Sequence, residues 1–443
     1  MIAIALSVRI RRRHLHAVVL TGLILCSMTT PANSQTITDF RKLLPADPNA
    51  FNDFGNSVAL SGNLAIVGAP RHAHNFFQAG AAYLFDTTTG QQVRELLPTG
   101  GTEYNAAGYS VDMSGNVALV GAYLDQHAGS QSGAAFLFDV TTGQQLFKLT
   151  ASNAAPNHSF GMSVSVSGQT AVVGSALANQ VYVFDVATGT EHFRLTADDG
   201  AGGGPFFGSS VGVSGNIAIV GAPFDNYAGT ESGSAYLFDT LTGQQLFKLK
   251  ASDAEAGDRL GDSVAIHGNF AIVSATFDNT AAGNDAGSAY LFDVTTGQQL
   301  RKLTASDAHA VQLFGDSVDI SGDRAIVGAT RHTHAGIGAG SAYVFDLATG
   351  AQINKLIASD AAAGDLFGNA VAITGSVAVV GAFRDTNLGG TQAGAAYQFA
   401  IVPEPTSVLL FVPAISALLA ARISPRRTHS KVRRGTVPEP GTT

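Results

Sequence analysis

Cysteine occurs once, at Cys26, in a chain of 443 residues, and tryptophan does not occur at all. A single thiol excludes a disulfide framework and any zinc site built on paired cysteines. Charged residues make up only 13% of the chain. No His-Glu-x-x-His run and no phosphate loop is present, and no other catalytic constellation emerges. The sequence therefore assigns no catalytic residue, no cofactor and no metal-ligating set. Active sites can gather residues from distant segments, so scattered acids and histidines leave an enzyme as an alternative.

What the chain does have is glycine, 51 residues of it, within a 45% hydrophobic composition rich in Val, Ala, Thr and Phe. That balance suits an all-β protein with a large core. A unit of about 53 residues recurs seven times, opening at Phe54-Gly55, Ala107-Gly108, Phe160-Gly161, Phe207-Gly208, Leu260-Gly261, Phe314-Gly315 and Phe367-Gly368. Fixed periods of this length mean like units that share a core by stacking.

The fourth unit shows the pattern. Ser210 to Val213 alternates as a short strand and ends at Ser214-Gly215-Asn216, a two-residue hairpin signal. Ile217 to Val220 is a second strand, followed by Gly221-Ala222-Pro223 and a loop, Phe224 to Gly233. Ser234 to Phe238 and Gln245 to Leu249 are the third and fourth strands, joined by Asp239-Thr240-Leu241-Thr242-Gly243. Small residues crowd the first two strands and aromatics the last two, as a wedge-shaped blade requires. Four antiparallel strands repeated seven times predict an all-β fold, a seven-bladed β-propeller over residues 35–401. A linear β-solenoid is the alternative, but its rungs are usually parallel and lack so many hairpins. The seventh unit stops at Phe399, and Thr38 to Leu44 resembles the fourth strands elsewhere. The N-terminal strand is thus expected to complete the last blade, closing the ring and removing its exposed edges.

Both ends carry targeting patterns. Arg9 and Arg11 to Arg13 precede the apolar run Ala17 to Met28, and Ala32 and Ser34 supply the small residues of a cleavage site. Residues 1–34 therefore read as a signal peptide; a short membrane anchor is the alternative, although the run is too short to span. Cleavage after Ser34 would remove Cys26. Four arginines lie in residues 1–34, and six basic residues and one acid lie beyond Pro405. The remainder has 15 basic against 32 acidic residues, a net charge near −17. Such a surface repels nucleic acid and anionic lipid.

At Phe54-Gly55-Asn56-Ser57-Val58 with Gly68-Ala69-Pro70, and again at Phe207-Gly208 with Gly221-Ala222-Pro223, the chain resembles the FG-GAP repeat family. Those repeats form the propeller heads of integrin α-subunits and of many bacterial exported proteins. The family's calcium loop, Asp-x-Asp-x-Asp-Gly-x-x-Asp, is replaced here by triplets such as Ser61-Gly62-Asn63 and Ser321-Gly322-Asp323. These are too short to supply six to eight oxygens, so the family's calcium sites do not carry over. The C-terminal end is similar to a PEP-CTERM sorting signal over residues 402–427. Pro403-Glu404-Pro405 is followed by the apolar run Ser407 to Ala421 and by Arg426-Arg427, with a basic tail at 428–443. The resemblance implies processing by an exosortase-type protease, with membrane contact only through this segment; an ordinary tail anchor is the alternative.

Strand parity puts the long, variable loops after strands two and four on one face, and short hairpins on the other. Loops of the first kind more often carry binding. Three candidate groups fall on that side. Asp253 with Asp258, and Asp360 with Asp365, are spaced to share a cation or to act as turn residues. Arg71-His72-Ala73-His74 and Arg331-His332-Thr333-His334 place two imidazoles at i, i+2, with no third ligand evident. Tyr83, Phe136, Tyr182, Tyr236, Tyr290, Tyr343 and Tyr397 recur in the third strands, as interblade packing or as a sugar-stacking ladder. The expected function is non-catalytic binding or adhesion to an extracellular glycan or protein at the cell envelope or matrix. A secreted carbohydrate-active enzyme and a passive surface component are the alternatives.

Overall fold

The computed structural model describes residues 35–73, 78–100, 103–198 and 204–401. The segments carrying Ala32 and Ser34, and Pro403, Glu404, Pro405, Arg426 and Arg427, lie outside the described residues. Among the described residues no helix is long and apolar enough to cross a membrane.

Second and third strands such as Leu64–Ala69 and Ala81–Asp86 are buried almost throughout, whereas the fourth, Gln92–Leu96, is largely half-exposed. Inner strands covered on both faces by neighbouring blades need such continuous apolar runs. The same antiparallel order builds seven sheets, beginning at Val58, Ser110, Phe160, Val211, Leu260, Phe314 and Val371. Seven apolar clusters each span two adjoining blades, so the core is a ring of interblade seams. The first strands of all seven blades line an axial channel of about 450 Å³. The seven-bladed all-β propeller read from the repeats is the observed fold.

Ring closure also follows, with one correction. Arg41–Leu43 pairs antiparallel with Ala395–Ala400, supplying the fourth strand of blade seven. The expected single strand Thr38 to Leu44 is instead broken at Asp39-Phe40. Gln35–Thr38 crosses to blade six and pairs in parallel with Gln352–Ile357, making that blade five-stranded. An edge of unpaired backbone groups is thereby covered.

The repeat motif is a docking device between blades. The Phe54 ring packs edge-on against Tyr83 and Phe85, at 5.6 and 5.9 Å between centroids. Ser57 Oγ donates to the Gly108 carbonyl of the next blade at 2.8 Å. A Cβ on Gly68 would lie 2.0 Å from that same oxygen, so glycine is required there. Ser163, Ser210 and Ser317 repeat the bond to Gly208, Gly261 and Gly368, and Asn369 makes it to Gly55 across the ring joint. A second clasp uses the opening residue of the fourth strand. Gln92, Gln145, Gln245, Gln299 and Gln352 each accept a backbone N–H from the chain leaving the preceding blade, at 2.8–3.0 Å.

Each hairpin between strands one and two is a two-residue turn, as Ser214 opposite Ile217 shows. Gly215 has φ +57° and Asn216 is not in the positive region, the type II′ pattern. Blade three departs where its sequence is shortened: Ser175 to Gln180 is crossed by a 3-10 turn, Ala176–Ala178.

Candidate functional site

The seven recurring aromatics, from Tyr83 to Tyr397, are fully buried. They are packing residues and do not form an exposed sugar ladder. The tyrosine hydroxyls reach toward the long-loop face and organise a repeated ionic network there. In blade seven Lys42 Nζ lies 2.7 Å from Asp360 and 2.9 Å from Asp385, and the Tyr397 hydroxyl is within hydrogen-bond distance of both carboxylates. In blade five Lys302 bridges Asp253 at 2.7 Å and Asp278 at 2.6 Å, with the Tyr290 hydroxyl on Asp278. Burial disfavours these ammonium groups, yet hydrogen bonds to their paired aspartates raise both lysines above the usual value. Tyr290 and Tyr397 are driven strongly upward by burial and by the adjacent carboxylates, and stay neutral donors.

This network divides the aspartate candidates. Asp258 and Asp365 are turn residues, accepting the N–H of Glu255 and of Ala362. Asp253 and Asp360 do hold a cation, but it is the chain's own lysine. In blade six, His332 Nε2 lies 3.3 Å from Asp307 and its ring stacks on His334 at 5.6 Å. Burial holds His334 below the ordinary imidazole range. In blade one, His72 meets Asp47 from the preceding loop and Glu95 from the fourth strand. Motif spacing within a single loop could not reveal those two carboxylates. His74 lies outside the described residues.

One groove of this face, of about 370 Å³, lies where blades seven, one and two meet. Asp53, Asn56, Arg71, Tyr104, Tyr109, Tyr123 and Phe383 line it. Arg71 pairs with Asp53 at 3.1 Å, and the Tyr109 and Tyr123 rings lie 4.5 Å apart. Tyr104 is 45% exposed. Burial, opposed by Arg71 and Arg384, raises the Asp53 carboxyl. Tyr109 and Tyr123 stand where other repeats carry residues such as Ser209 and Pro223, and that local deviation was the available signal. A second groove of about 340 Å³, with Ile337, Leu366, Arg331 and Arg384, adjoins it between blades six and seven.

Gly208-Ser209-Ser210-Val211-Gly212 matches a nucleophile-elbow pattern, but it leads into a strand and Ser210 donates to Gly261. That bond is the interblade clasp, and the strand-turn-helix context of such an elbow is absent at this segment.

In the axial channel Asp112 and Asp319 occupy equivalent positions in blades two and six. Each accepts a backbone N–H of the next blade, from Val166 and from Ile373, at 2.7 Å. Burial pushes Asp112 up to about 6 and Asp319 up to about 7, against those hydrogen bonds. Burial likewise raises Asp262 to about 7 and Asp316 to about 6. Folded values above the unfolded 3.8 mean that the native state binds more protons. Their stabilising contribution is full below about pH 4 and is lost as pH rises through 6–7. The melting temperature should therefore fall by roughly 5 °C between pH 5 and pH 8. Asp319→Asn should flatten the profile, as differential scanning calorimetry would show; a melting temperature that rises over that interval would contradict the assignment.

A search of curated proteins finds no match. The FG-GAP repeat family model matches seven times, at residues 37–85, 91–138, 144–184, 190–238, 244–292, 298–345 and 351–399. Each stretch opens near the fourth strand of one blade and closes in the third strand of the next. The first begins in the N-terminal segment that supplies the closing strand. With most of its length matched in register with the blades, the chain belongs to the FG-GAP repeat family.

Proposed function

We propose that this protein is an exported, non-catalytic binding protein that attaches to cells or extracellular matrix through its long-loop face. The observation that carries this reading is the aromatic-lined groove of about 370 Å³ at the meeting of blades seven, one and two. Aromatic rings beside an Arg–Asp pair suit recognition of a glycan or of a polar protein surface, since ring faces stack while the charged pair orients. Export through the 1–34 leader and sorting through Pro403-Glu404-Pro405 by an exosortase-type protease place that face outside the inner membrane. The acidic balance of the segment between them supports a partner other than nucleic acid.

Replacing Phe224 to Gly233 and Phe277 to Gly287 together with Tyr104→Ala and Tyr123→Ala should abolish attachment of purified protein to host cells or matrix. Asp225, Asp278, Gly233 and Gly287 are retained in these loops, because the aspartates pair with Lys248 and Lys302 and the glycines pack on Leu260 and Phe314 of the next blade. The melting temperature should therefore change little. Unchanged attachment would refute the face assignment. Turnover of a polysaccharide by the purified protein would put a carbohydrate-active enzyme in its place.

A further inference from the structure

The residue paired with the third-strand aromatic is basic in six blades: Lys42, Lys148, Arg194, Lys248, Lys302 and Lys355. In blade one it is Glu95, opposite Tyr83. Where blades five and seven set an ammonium between two aspartates, blade one sets a second acid, Glu95, beside Asp47 and His72. The chain has exchanged its own cation for a carboxylate.

The geometry of the exchange is specific. His72 Nε2 lies 3.3 Å from Glu95 Oε1 and 3.7 Å from Asp47 Oδ2, and the three ligand atoms fall within 4.8 Å of one another. Tetrahedral zinc with bonds of about 2.0–2.2 Å separates its ligand atoms by roughly 3.3–3.6 Å. The present spacing is close to that before any ion enters. The other ring nitrogen, Nδ1, is 3.1 Å from the Tyr83 hydroxyl, which in turn donates to Asp47 Oδ1 at 3.3 Å. A metal-bound imidazole needs such an outer partner to fix its tautomer and orientation. The His72 side chain is only 4% exposed, so the ring is held by packing.

We propose that Asp47, His72 and Glu95 bind one divalent transition-metal ion of the zinc class, with the remaining coordination position left to water. One imidazole and two carboxylates suit zinc better than calcium, which takes six to eight oxygens. The ion would occupy the place of the sibling ammonium. It would also tie Asp47, in the segment following the closing strand, to the loop after the second strand and to the fourth strand of blade one, so that metal binding reinforces the ring joint.

The test uses the untagged full-length protein after chelator stripping. Equilibrium dialysis against micromolar Zn²⁺ should give one tightly held ion per chain, and saturation should raise the melting temperature by about 5 °C. Glu95→Lys, which restores the sibling arrangement, should fold, lose that ion, and melt at the same temperature with or without Zn²⁺. Glu95→Gln, close in shape to the parent, should weaken binding at least tenfold. A wild-type protein that retains no zinc, or variants that retain it as tightly as the parent, would overturn the proposal.

Discussion

Deleting residues 35–46 should lower the melting temperature by about 10 °C or more, or convert the protein to aggregates. The deletion removes the Arg41–Leu43 strand from the edge of blade seven and the Gln35–Thr38 strand from blade six. It also removes Lys42 from between Asp360 and Asp385, whose side chain is 3% exposed. Stranding a buried carboxylate costs about 3–5 kcal/mol, before the loss of the ladder itself. Two newly exposed sheet edges then invite pairing with other copies. Calorimetry with size-exclusion chromatography reads both effects. A monomer with unchanged melting temperature would show that the ring is closed elsewhere.

Gly221→Val should destabilise by about 3 kcal/mol or more, through overpacking at a blade seam. A Cβ there would lie 2.1 Å from the Gly261 carbonyl oxygen and 2.2 Å from Ser210 Oγ, and the carbonyl belongs to the next blade's backbone. Valine would break the Ser210 clasp and separate blades four and five. Blade five supplies the graded control. It carries Ser274 at the equivalent position, where the hydroxyl accepts the Ser263 N–H at 3.0 Å. Gly221→Ser should thus cost clearly less than Gly221→Val. Urea denaturation of the pair measures the difference, and equal midpoints would refute the seam role of this glycine.

The periodic features could be read before any coordinates because each has a local cause. Alternation marks the strands, Gly215 and its equivalents mark two-residue hairpins, and the missing strand after Phe399 points back to the N-terminus. The crossing of Gln35–Thr38 to blade six was not legible, since nothing local distinguishes one blade's edge from the next. The recurring tyrosines were rightly read as packing. Their hydroxyl partners were hidden because Lys302, Asp253 and Asp278 come from three different segments. For the same reason Asp47 and Glu95 could not be joined to His72 by spacing. Legibility failed where a site is assembled across repeats, and there the deviating repeat was the usable clue. Tyr109 and Tyr123 break the pattern at the groove, and Glu95 breaks it beneath blade one.

The claim that attachment occurs through the long-loop face can be tested by blocking one face at a time. In a Cys26→Ser background the chain has no other thiol, so a single introduced cysteine can carry a bulky polymer maleimide. Leu388, 97% exposed in the long loop of blade seven, and Leu241, 63% exposed in a short hairpin of blade four, are suitable sites on opposite faces. Attachment to host cells or matrix should be lost when the polymer sits at Leu388→Cys and kept when it sits at Leu241→Cys. Loss only from the Leu241 side, or attachment unaffected by either, would contradict the account.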